Sequence, residues 1–214
     1  MNNSNSGGGG EKVLFTMIYG FLSSPHPNKS LEIAIYTGDQ NPESEILAKV
    51  KRNFGLTLPE NQIKFIRVFG RSRYLDPKPS FTMIRQIIGS IIYTYKALKI
   101  YTPDLFFDTT GFSFSHWVVK QLVPHCKVIT YVHYPFISYD MLDCVVKKEK
   151  KFNNNDRIAN NKILSRVKIW YYRTLIFLYG KMGNYADLVF TNSSWTNTHI
   201  RSLWKKWKTE SILL

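Results

Sequence analysis

An imidazole, a run of glycines and a carboxylate are the groups in this chain whose placement suggests chemistry. His133 follows KVITYV, an alternating β-branched and aromatic run that predicts a buried strand over 127–132, and YPFISYDML after it predicts a turn and a new helix. The carboxyl edge of an open α/β sheet is where ligands bind. A histidine there hydrogen-bonds a substrate hydroxyl or supports charge developing beside a reacting carbon. The plainer reading of any single histidine is a satisfied structural one. Asp140, expected in the first turn of the next helix, either orients a hydroxyl or serves as ordinary helix N-terminal charge. Gly8, Gly9 and Gly10 end a four-glycine run directly before a helical pattern. Such a loop and the helix N-terminus behind it offer N–H groups to a diphosphate, although a glycine run alone is more often a linker.

The elements that must position these groups alternate. Helices are expected over about 11–22, 42–54, 80–99, 115–122, 138–146, 163–182 and 193–206, and strands over 31–37, 63–69, 104–107, 127–132 and 188–191. Ser80 is a plausible N-cap, as is Asn192 or Ser193, and Gly111 behind Asp108 predicts a turn with positive φ. Trp195 reads as core packing. Alternating strands and helices argue a doubly wound parallel sheet. Residues 147–162, KKEKKFNNNDRIANNK, read as a solvated low-complexity insert. Only MNNSNS precedes the glycines, where a strand normally feeds such a loop; either the run is an ordinary flexible tail or the first strand is missing, in which case residues 1–10 read as a truncated loop.

The chain is 214 residues long, 44% hydrophobic and carries a net charge of +14, enough length for a sizeable core. The charge is uneven: residues 1–144 hold 15 basic and 11 acidic side chains, residues 145–214 hold 14 and 4. A cationic surface seeks phosphate, whether in nucleic acid, an anionic membrane or a substrate, and charge alone does not choose. On the helix over 163–182, Lys168, Arg173 and Lys181 are candidates to meet lipid phosphate opposite a packed face. Cys126 and Cys144 lack metal or disulfide spacing and read as reduced thiols. No stretch reaches the ~20 apolar residues of a spanning helix.

Several blocks recur together: GGGGEKVL, FTMIRQIIGS, DTTGFSFS, YVHYPFISYDML, YYRTLIFLYGKMG and LVFTNSSWTNTHIRSLW, most of them at or beside a strand-to-helix junction. In that order they resemble the amino-terminal domain of the endoplasmic-reticulum α-1,2-mannosyltransferases of the asparagine-linked glycosylation pathway, in glycosyltransferase family 4. The resemblance implies the amino-terminal, Rossmann-like half of a two-domain GT-B enzyme. It implies transfer of mannose from GDP-mannose to a dolichol-diphosphate oligosaccharide, from three mannoses to five, with no metal or separate cofactor. It implies a donor-sugar contact at His133, donor diphosphate at Gly8, Gly9 and Gly10, and acceptor contacts at Tyr134 and Asp140. The implied setting is the cytosolic face of the endoplasmic-reticulum membrane, with other mannosyltransferases of the pathway as candidate partners and no nucleic acid. The Rossmann-like domain is expected over 11–206 and the crossing to a second domain over 207–214. The glutamate pair that grips the donor nucleotide belongs to that second half. A basic membrane- or nucleic-acid-binding module without catalysis is the rival reading, with a family 4 transferase of another donor or acceptor beside it.

Overall fold

The computed structural model describes residues 8–24, 31–70, 82–147, 162–205 and 212–213. Along them run α1 (Gly9–Ser23), β1 (Ile33–Thr37), α2 (Glu43–Phe54), β2 (Ile63–Arg67), α3 (Thr82–Ile100), β3 (Leu105–Asp108), α4 (Phe114–Leu122), β4 (Lys127–Val132), α5 (Tyr139–Val146), α6 (Lys162–Gly183), β5 (Leu188–Thr191), α7 (Ser194–Leu203) and β6 (Ile212–Leu213). β1 pairs with β2, β4 with β5 and β5 with β6, all parallel. Each expected helix and strand is present, with ends moved by a few residues. β6 is an addition, since two apolar residues in a short tail carry no periodicity to read. Ser80, expected to cap α3, lies outside the described residues, as does nearly all of the expected insert.

The chain forms two compact units, the first comprising Met1–Thr110 and Val118–Cys126. Within it, alternation along the strands sends Ile35, Ile63 and Phe65 into one core with Phe15 and Ile18 of α1 and Ile46, Leu47 and Val50 of α2. The intervening residues, Ala34 and Tyr36 of β1 and Ile66 of β2 with Val68 just beyond, pack against Tyr93 and Ala97 of α3. Helices therefore cover both faces of the strand pair, which is why these strands lack a polar face. The half-buried Tyr36 donates its hydroxyl to the Tyr101 carbonyl at 2.7 Å, and burial raises its pKa above the usual phenol range.

The second unit comprises Gly111–Trp117 and Lys127–Leu214. The starts of β4 and β5 are tied by Asp187, whose N–H donates to the Val128 carbonyl and whose carboxylate accepts from the Val128 N–H, both at 2.7 Å. Gly111 adopts φ +70°, as the turn required, and a Cβ there would meet Val132 at 2.9 Å. Behind it an aromatic core gathers Phe112, Phe114, Phe136, Tyr179 and Trp204. Gly180 and Gly183 let the end of α7 lie directly on α6: a Cβ on Gly180 would stand 2.5 Å from the Leu203 carbonyl oxygen, and one on Gly183 would fall inside the Trp204 indole.

Gly183→Ala is therefore expected to destabilise the protein by roughly 1–3 kcal/mol through overpacking. Gly20→Ala, in an exposed turn of α1 with open space around it, should stabilise by about 0.5–1 kcal/mol. Urea denaturation compares the two; a Gly183→Ala protein as stable as the parent would mean the indole is not seated on α6.

Candidate functional site

The parallel register sets Val132 of β4 opposite Thr191 of β5, so the two strands end level. His133 and Asn192 then leave the sheet at the same edge. A hydrogen-bonded knot joins the two exits: the Thr196 hydroxyl contacts the His133 carbonyl at 3.2 Å and the Asn192 side-chain oxygen at 3.0 Å. Ser193 is the N-cap of α7, its hydroxyl accepting from the Thr196 N–H at 3.2 Å. This choice between Asn192 and Ser193 was open in the sequence; the geometry assigns the cap to Ser193 and leaves Asn192 in the knot.

His133 is half-buried, its ring edge against Tyr131 with centroids 4.7 Å apart. Its Nε2 is out of solvent contact and has no hydrogen-bond partner among the described residues. An unmade bond at a buried polar atom costs about 1–3 kcal/mol. Burial also lowers the ring's pKa below 6.5, because the charged form is the one desolvation penalises. The result is a neutral imidazole at a strand end with one ring nitrogen available to a hydroxyl.

Beyond it stands a stack that sequence reasoning missed. Tyr134, 58% exposed, lies nearly parallel to Trp195 at 5.0 Å, and His199 lies 3.9 Å from Trp195 on the same helix. Asp140, in the first turn of α5, meets His199 Nε2 at 3.1 Å, while His199 Nδ1 contacts the Trp195 carbonyl at 2.9 Å. Trp195 is thus not core: it is 40% exposed and faces Tyr134, because the buried face of α7 is carried by Thr196, Ile200 and Leu203. Trp204 is the tryptophan that fills the core. The spacing of Trp195 and His199, four apart on a helix, was the available signal. His133, Tyr134 and Asp140 therefore share one edge.

The glycines and Asp108 belong to the first unit and are described within it. Gly9 and Gly10 form the first turn of α1 itself, and the Glu11 and Lys12 N–H groups donate to the Gly8 carbonyl at 3.0 and 3.1 Å. Glu11, buried in that first turn, already brings negative charge to the helix terminus. Asp108 makes a turn, its carboxylate accepting from the Thr110 N–H and hydroxyl at 2.8 and 2.6 Å. On α6, Arg173 and Lys181 are exposed, whereas Lys168 is half-buried over the Tyr172 ring, and burial lowers its pKa. No group of three or more candidate metal ligands occurs among the described residues.

Because the folded His133 ring resists protonation and an unfolded one does not, the unfolded chain takes up the extra proton as pH falls. The associated stability is complete above about pH 6.5 and is lost as pH falls through the folded value. Denaturant titrations at several pH values should show a smaller acid loss in His133→Gln than in the parent. Equal losses would place the imidazole in water.

A family model described as the ALG11 mannosyltransferase N-terminus matches residues 2–204. A Mus musculus relative named GDP-Man:Man(3)GlcNAc(2)-PP-Dol alpha-1,2-mannosyltransferase is 41% identical over 205 residues, covering 94% of this chain and 40% of its own. Proteins of the same name from Homo sapiens, 40% identical over 205 residues, and Dictyostelium discoideum, 36% over 203, each cover 94% of this chain; 40% and 39% of their own lengths are matched. The chain spans about two fifths of the length of these curated relatives. No solved structure matches it.

Proposed function

The chain belongs to the ALG11 mannosyltransferase N-terminus family, and we propose that it supplies the acceptor-side half of an enzyme transferring mannose from GDP-mannose, in α-1,2 linkage, to a dolichol-diphosphate oligosaccharide. The acceptor passes from three mannoses to five in two successive transfers. In this reading the chain is the Rossmann-like half of a GT-B enzyme, β6 included in its sheet, and a second domain supplies the nucleotide-binding glutamates. The observation that carries this reading is His133, a neutral imidazole with an unpartnered ring nitrogen at the carboxyl end of β4.

In this reading His133 hydrogen-bonds a hydroxyl of the transferring mannose and steadies it as charge develops at the anomeric carbon. Tyr134 and Asp140 border the acceptor, with Asp140 oriented by His199. Gly8, Gly9 and Gly10 present first-turn N–H groups to the donor diphosphate, where phosphate shares the terminus with Glu11. No metal is needed for this assignment. Mannose transfer is measured on the chain completed with the carboxyl-terminal part of the Mus musculus relative. His133→Ala should lower kcat about 100-fold while thermal melting barely moves, since the ring contributes to the transition state rather than to packing. Unchanged turnover sinks the assignment.

The site of action in this reading is the cytosolic face of the endoplasmic-reticulum membrane. No helix among the described residues is long and apolar enough to cross a membrane. α6 instead exposes Ile163, Val167 and Trp170, spaced by four and three along one side of its first half, with Arg166 beside them. Such a helix lies on an anionic surface with its apolar side in the headgroup region. Sedimentation with anionic vesicles should weaken as salt rises, each cation near the surface contributing about 1 kcal/mol. Val167→Ser with Trp170→Ser should remove the binding that salt leaves. Preference for duplex RNA or DNA over vesicles would favour the non-catalytic basic module.

A further inference from the structure

Within the second unit, α5, α6 and the end of α7 enclose a groove of about 450 Å³, in the size range of small-molecule sites of about 300–1,000 Å³. On α6 its wall is one helical face, Arg173, Ile176, Phe177, Gly180 and Lys181, spaced by three, one, three and one residues. Leu142 of α5 and Leu203 of α7 complete the apolar wall. Three cations stand at the groove, the exposed Arg173, Lys181 and Lys205, and none of the eleven lining residues is acidic. Lys181 Nζ is held 4.8 Å over the Phe177 ring, a cation–π contact that fixes an ammonium beside the apolar wall.

An apolar trough with cations at its mouth suits a molecule that is hydrocarbon at one end and anionic at the other. Arginine and lysine together match phosphate, the first by paired N–H groups and the second as a point charge. The groove also adjoins the candidate site through shared elements. Tyr139, which lines it, precedes Asp140 on α5, and Ser202, also lining it, donates to the His199 carbonyl at 2.7 Å. An occupant of the groove therefore lies along the two helices that carry the site, which favours a chain belonging to the substrate over a bulk bilayer lipid.

We propose that this groove takes the head-proximal part of a polyprenyl diphosphate, its first prenyl units against Leu142, Ile176, Phe177 and Leu203 and its phosphates against Arg173, Lys181 and Lys205. The proposal rests on the reading of this chain as part of a dolichol-dependent transferase and assigns the lipid end of the acceptor a place of its own.

Isothermal titration calorimetry on the whole chain, with farnesyl diphosphate and inorganic diphosphate as probes and no donor present, tests it. Farnesyl diphosphate should bind at least tenfold more tightly than inorganic diphosphate. Arg173→Gln with Lys181→Gln, both exposed positions, should weaken it at least tenfold. Leu142→Trp, which fills the trough, should bring farnesyl diphosphate down to the affinity of inorganic diphosphate without altering the latter. Equal affinities for the two probes in the parent, or indifference to the cation substitutions, overturns the proposal. Phosphatidylserine vesicles that displace farnesyl diphosphate at equal phosphate concentration assign the groove to bilayer lipid and overturn it too. Failure here is separable from failure of the mannosyltransferase reading: transfer to a soluble acceptor without a prenyl chain needs no groove, and calorimetric binding needs no transfer.

Discussion

The second unit depends on one residue held at both ends. Tyr179 is fully buried; its hydroxyl donates to the Gly111 carbonyl at 3.1 Å, and its own carbonyl accepts from the Ser113 hydroxyl at 3.1 Å. Its ring lies between Phe114, Phe136 and Trp204, with centroids 5.4 to 6.4 Å away. One side chain thus joins the turn at Gly111, the loop after β4, the length of α6 and the exit of α7. Neither glycine on α6 is then free to change, because the α7 exit must descend onto that helix for Trp204 to reach Tyr179. Each buried aromatic contributes about 1.5–3 kcal/mol, so this cluster is comparable to a sizeable fraction of a domain's net stability of about 5–15 kcal/mol.

Among the described residues of the second unit, the buried side-chain atoms left without a hydrogen-bond partner include His133 Nε2, Ser138 Oγ and Trp204 Nε1. Thr196 and Ser193 satisfy the backbone at the two exits, and Asp187 satisfies it at the opposite ends of the same strands. Of the three unpartnered atoms, the Nε2 of His133 is the one at the carboxyl end of a strand. A core position would fill such a gap with an apolar group of the same shape at little cost. A histidine that keeps an unmade bond at a strand end, beside a carbonyl that is paired, is better explained by a partner arriving from outside.

Much of this was legible. β4, β5 and α6 follow from β-branched alternation and a long aromatic helix, and the turn at Gly111 followed from a glycine behind a strand-ending aspartate. The order of the strand-to-helix blocks carried the family, and the edge position of His133 followed from strand length alone. What escaped was what depends on partners distant in sequence. Trp195 and Trp204 are alike in the chain, yet one is 40% exposed and the other fully buried, a difference set by which faces Gly183. Lys168, Arg173 and Lys181 read as one cationic set; packing separates them, because Lys168 is turned over Tyr172 while the other two reach the groove. β6 escaped because a two-residue strand exists only through its neighbour.

The stack of Tyr134, Trp195 and His199 shows how a rim is stiffened by contacts that are individually weak. His199 contacts the Trp195 carbonyl through one ring nitrogen and the Asp140 carboxylate through the other. The pair with Asp140 is largely exposed on the acid's side, so its own contribution is about 0–1 kcal/mol. Offset aromatic pairs contribute about 0.5–1.5 kcal/mol beyond burial. The contacts share members, however: moving Asp140 releases His199, which uncovers one neighbour of Trp195 and loosens its hold on Tyr134. Three segments, the loop after β4, the first turn of α5 and α7, are fixed to one another at little gain in stability. Their effect is positional. Tyr134 adjoins His133 in the chain, so the same contacts that orient the tyrosine restrict the backbone that aims the imidazole, and that orientation is what a group acting on a transition state requires.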